Sequence, residues 1–127
     1  MTRFLLVCLG GAFGSGARYL TSSWAAALLG TAFPWGTMIV NVAGSFLIGA
    51  VMHLSTSSDL LSEDVRLFLV AGILGGFTTY SSFNWETLQL IRTGHPAAAF
   101  ANATGTFILC LAAGFAGIIA GRLVFAR

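Results

Sequence analysis

Hydrophobic positions run almost without interruption along this chain, in stretches covering residues 4–29, 36–54, 67–91 and 97–124. Each is long enough for the ~20 residues that cross a bilayer as a helix. Short polar or turn-forming segments separate them: Phe33-Pro34-Trp35, the acid-bearing 55–64, and Thr93-Gly94-His95-Pro96. Proline near a first helical position and glycine past a last one are the usual punctuation between helices. The pattern predicts an all-α integral membrane protein, a single four-helix domain over 1–127. Inside the third stretch, residues 72–87 read GILGGFTTYSSFNWET, polar and glycine-rich where hydrocarbon would surround them. Unpaired backbone costs several kcal/mol in lipid, so such a segment is kept only where protein or an ion route covers it. The third helix is expected to break mid-span there.

Composition agrees with this picture. Of 127 residues, 57% are hydrophobic and 8% charged, with a mean hydropathy of +0.89. Soluble domains carry about a quarter charged residues. Arg3, the apolar run to Phe13 and the small residues Ser15 and Ala17 imitate a cleavable leader. Hydrophobicity resumes beyond Arg18, however, which favours a retained first span. All six basic residues are arginine. With both termini on one side, Arg3, Arg66, Arg122 and Arg127 face Arg18 and Arg92, a thin bias toward cytoplasmic termini that leaves insertion in both directions open. Ser62, Glu63 and Asp64 before an apolar run read as a helix start, and with Asp59 as solvated acids rather than ligands. Cys8 and Cys110 lack C-x-x-C spacing and read as packing residues. So do the glycine pairs 10/14, 72/76 and 117/121, at helix-contact spacing.

Few residues remain for chemistry. Thr37, Asn41 and Ser45 share one face of the second helix, with His53 beyond them, and Asn102, Thr106 and Cys110 repeat the spacing in the fourth. Buried Ser and Thr commonly bond their own backbone four residues back. Asn41 cannot satisfy itself that way, which leaves helix-to-helix bonding or a polar lining. At 1.5 Å per residue, Tyr80 and Phe83 lie roughly 20–25 Å into the membrane, a depth Asn41 reaches from the opposite side. Amides, hydroxyls and ring edges suit an anion, whereas cation routes more often use carboxylate rings. Arg18 and Glu86 are charges within spans, expected to pair with one another or to face water-filled vestibules.

These residues together resemble the small fluoride channels called Fluc or CrcB. The likeness rests on Gly14–Tyr19 with Arg18, on Gly36-Thr37 through Asn41 to Gly44, and above all on GGFTTYSSF from Gly75 to Phe83, followed by Glu86. The resemblance implies a dual-topology antiparallel homodimer with two fluoride pores in a bacterial inner membrane. It implies pore positions at Asn41, Tyr80 and Phe83, polar positions at Thr37, Ser81 and Ser82, and a span-four track including Thr106 and Cys110. It also implies a structural sodium ion at the dimer interface, held by the backbone carbonyls of Gly75 and Thr78. The chain departs from the family pattern where Tyr80 stands for phenylalanine, where Cys110 stands for a hydroxyl, and at Asn102, where an aromatic can occur.

The expected function is passive fluoride export, relieving toxicity after entry as the weak acid, with fluoride, an identical subunit and lipid as partners and no nucleic acid. The absence of a nucleotide-binding motif argues against a pump. A proton-coupled transporter of the small multidrug type would need an acid deep in a span, and Glu86 is the one candidate. A non-transporting scaffold is the other alternative. An enzyme is not expected, because His53 and His95 lie near membrane edges without a nucleophile–base constellation.

Overall fold

The computed structural model describes residues 1–57 and 61–125; Asp59 and Arg127 lie outside them. The described residues are helical with short connections and no strand: α1 (Thr2–Leu29), α2 (Trp35–Ser57), the composite α3 (Glu63–Leu67, Phe68–Leu74 and Gly75–Phe77), α4 (Tyr80–Arg92) and α5 (Pro96–Phe125). Four segments are long and apolar enough to cross a membrane, α3 and α4 jointly forming the third as Glu63–Arg92. The chain is thus a four-span integral membrane protein. Apart from the C-terminal end of α1, which falls at Leu29 as expected, the helices overrun the expected bounds by one to four residues.

α1 runs unbroken through the leader-like region and stops at Gly30, whose φ of 79° requires no Cβ and whose N–H donates to the Ala26 carbonyl. Its glycine face explains its packing on α3. A Cβ on Gly14 would fall inside the Ile73 carbonyl oxygen, and one on Gly10 would come within 2.8 Å of the Gly72 Cα. Close approach compensates for the missing hydrophobic force between helices in lipid. Gly10 therefore meets Gly72 directly, while Gly14 sits on Ile73 and Phe77 and Gly76 on Gly11 and Ser15. α2 lies on α5 with Gly49 against Gly114 and Gly117 against Phe46.

At the membrane edge Ser62 caps α3 by accepting from the Val65 N–H at 3.3 Å. Glu63 and Asp64 do more than cap. Arg3 bridges both, at 2.6 and 3.0 Å, tying the start of α1 to the start of α3. α3 then loosens into a π-helical stretch, Phe68–Leu74, where the Gly75 N–H reaches back five residues to the Val70 carbonyl. Large side chains such as Phe13, Tyr19, Phe100 and Phe115 face outward. The few completely buried positions include Ala25, Val40 and Asn102. This inside-out distribution fits a surface turned to lipid or to another subunit.

Candidate functional site

The break in the third span falls at Thr78 and Thr79, both in extended conformation (φ −80°, ψ 158° and φ −154°, ψ 119°). Such a break frees backbone groups, and Asn41 of α2 takes up two of them. Its Nδ2 donates to the Thr79 carbonyl at 3.0 Å, and its Oδ1 accepts from the Thr79 N–H at 2.8 Å. In an unbroken helix that N–H would serve the Gly75 carbonyl. A carboxamide matches a peptide unit donor for acceptor, which is why asparagine suits this place and a hydroxyl does not. Nδ2 keeps a second hydrogen, for which the described residues supply no acceptor.

α4 begins at once. Thr79 is its N-cap, its Oγ1 accepting from the Ser82 N–H at 3.2 Å and donating to the Ser82 Oγ at 3.1 Å. Ser81 Oγ lies 3.2 Å from the same oxygen. Ser81 and Ser82 thus crowd the cap at the break. Thr79 is the residue that sequence reasoning passed over. The second threonine after Gly-Gly-Phe, directly ahead of a new helical run, was the available signal.

Beside the break lies a cavity of about 490 Å³, walled by Asn41, Ser45, Gly75, Thr78, Tyr80, Phe83, Thr106 and Cys110 among others. The Tyr80 and Phe83 rings stand 5.6 Å apart between centroids, inclined at 48°, so that an edge of one addresses the other. Phe83 is half-buried, whereas Tyr80 is 78% exposed at the lip of the cavity. The hydroxyls in this wall are largely committed. Ser45 donates to the Asn41 carbonyl and Thr78 to the Leu74 carbonyl, while Thr106 donates to Asn102 Oδ1.

Thr37 is drawn elsewhere. Its buried hydroxyl donates to Glu86 Oε1 at 2.8 Å across α2 and α4, in a second cavity of about 620 Å³ near the α1–α2 and α4–α5 turns. Glu86 Oε2 is buried without a hydrogen-bond partner. Of the two expectations for Arg18 and Glu86, the mutual pairing is not formed, while Glu86 does line this second cavity. Glu86 engages Thr37 instead, and the Arg18 guanidinium reaches Ser15 Oγ at 3.5 Å on its own helix. Thr37 supplies the local donor, and among the described residues the ion pairs are those of Arg3. Arg18, Glu86 and Thr37 therefore stand outside the ring-lined cavity. Both cysteines are free.

The residues brought together thus include backbone carbonyls, one two-point carboxamide clamp and a tilted ring pair, with no carboxylate in the cavity wall. That set can solvate a small ion by dipoles and ring edges but offers no nucleophile–base pair. The same combination has relatives. The chain is 57% identical over 122 residues to the fluoride-specific ion channel FluC of Anaeromyxobacter dehalogenans, covering 96% of this chain and 97% of that one. It is 48% identical to the protein of that name from Thermus thermophilus, covering 96% of each chain. Identity to the Sorangium cellulosum protein of that name is 47% over 126 residues, covering 99% of both chains. The family model described as CrcB-like protein, Camphor Resistance (CrcB), matches residues 5–118, a range that contains the clamp, the break and the ring pair, and the chain belongs to that family.

Proposed function

We propose that this chain is a passive fluoride channel of a bacterial cytoplasmic membrane, exporting fluoride that has accumulated by entry as its weak acid. One observation supports this above the rest: a broken span, locked by Asn41, lies beside a cavity edged by Tyr80 and Phe83. An anion leaving water forfeits tens of kcal/mol of idealised solvation, so direct donors must replace its shell. The second Asn41 N–H is such a donor, and ring edges add weak positive potential. Cys110 offers a weaker S–H donor in the same wall. The full-length relatives named as fluoride-specific channels support the choice of ion.

The cavity opens on the outer face of the chain, with Tyr80 at its rim. A second copy would close it, consistent with an antiparallel homodimer carrying two routes. Arg18 and Glu86 then serve vestibules, Arg18 by raising local anion concentration, and Thr37, Ser81 and Ser82 extend the polar path. Gly75 and Thr78 also fit the expected sodium ion. Diversion of the Thr79 N–H to Asn41 leaves the Gly75 carbonyl without its helical donor, and Thr78 is already extended. Neutral carbonyl oxygens suit a hard cation. When bound, the ion would supply a fixed positive charge beside the breaks.

A proton-coupled transporter is disfavoured because Glu86 sits near the turn end of its span, bonded to Thr37, rather than at mid-membrane. The decisive test is efflux from liposomes holding purified protein, with fluoride and chloride measured side by side. Fluoride release without chloride release is expected. Vesicles that stay sealed to fluoride would overturn the proposal.

A further inference from the structure

Behind the ring-lined cavity, in neither of its walls, Asn102 of α5 is 1% exposed. A buried carboxamide in a membrane span is tolerated only when both ends are paired. Here both ends are. Oδ1 accepts from Thr106 Oγ1 at 3.3 Å, one turn along the same helix. Nδ2 donates to Thr87 Oγ1 of α4 at 2.8 Å, across the helix interface. Because an amide nitrogen can only donate, Thr87 must accept there. Its own single hydrogen then goes to the Phe83 carbonyl, at 2.7 Å.

A directed chain thus runs from α5 through Asn102 and Thr87 to the backbone of Phe83, the half-buried member of the ring pair. Neither Thr87 nor Asn102 lines the cavity, whereas Phe83 and Thr106 do. A threonine bonded four residues back shifts the local course of its helix, so holding Thr87 in that rotamer sets where the preceding turn lies. We propose that Asn102 is a positioning residue for the Phe83 wall of the ion route, acting through Thr87. The proposal rests on the fluoride-channel reading and adds to it a residue that need not touch the ion.

The test measures fluoride efflux per channel, and the fluoride-to-chloride ratio, for full-length protein in liposomes. The variants are Asn102→Leu, Thr87→Val, the double variant and Thr87→Ser, each checked for monodisperse elution before reconstitution. Asn102→Leu and Thr87→Val should each slow fluoride roughly tenfold, the effect of losing one positioning hydrogen bond. The double variant should be no slower than either single one, since both cut the same chain. Thr87→Ser keeps the hydroxyl and should stay within about twofold of the unaltered protein. A purely architectural role would change yield or thermal stability but leave the rate per channel and its rescue by serine unmoved. If Asn102→Leu does not fold, the valine and serine variants at 87 decide the matter. Well-folded variants with unaltered rates, or losses that multiply in the double variant, would overturn the proposal. Sealed vesicles with the unaltered chain would instead overturn the channel reading itself, and with it this one.

Discussion

Replacing Asn41 by leucine keeps the side-chain volume close and removes both bonds to the Thr79 peptide groups, at 3.0 and 2.8 Å. Each is worth about 0.5–1.5 kcal/mol net, so the pair contributes about 1–3 kcal/mol. The loss does not end there, because Thr79 is only 7% exposed and its N–H is left without an acceptor. An unsatisfied buried donor costs about 1–3 kcal/mol. Leucine recovers part of this through apolar contact with the cavity wall, ~1 kcal/mol at most where the position remains half-buried. A net destabilisation of about 1–5 kcal/mol follows, whose middle value would lower a thermal midpoint by roughly 10 °C. Fluorescence-detected melting of detergent-purified protein measures it, followed by liposome efflux on the surviving fraction. Fluoride efflux should fall at least tenfold, since the second Asn41 N–H, the donor left over for the cavity, is removed with the side chain. Asn41→Leu protein that melts with the unaltered chain would refute the clamp. The break would then be held by α1, α2 and α5 packing alone.

Tyr80→Phe removes one hydroxyl from an exposed ring and leaves the 5.6 Å pairing with Phe83 available; stability should be unchanged while fluoride efflux from liposomes shifts, and equal rates would show the phenol to be idle. Gly14→Val places side-chain atoms where the Ile73 carbonyl already lies; overpacking of more than about 3 kcal/mol should abolish monodisperse protein, whereas Gly16→Ala, with nothing near its Cβ position, should elute normally. Arg3→Ala breaks two exposed ion pairs; melting should fall slightly at low ionic strength and the difference should vanish in high salt, because exposed pairs are screened.

Four spans and the place of the interruption were legible in the order of residues, because hydrocarbon imposes one rule on every backbone group. Only long apolar helices satisfy it locally, and a polar run such as 72–87 violates it visibly. Asn41 was legible for the same reason: its amide has no local way to satisfy itself, unlike Ser45, which bonds the carbonyl four residues back. The identity of its partner was not. That Asn41 meets Thr79, that Thr37 rather than Arg18 engages Glu86, and that Asn102 reaches Phe83 through Thr87 are pairings between different helices. Spacing along one helix fixes which side chains share a face, but the rotation and depth of the facing helix decide which atoms meet. Those follow from close contacts such as Gly14 on Ile73, set by the shapes of whole helices packed together.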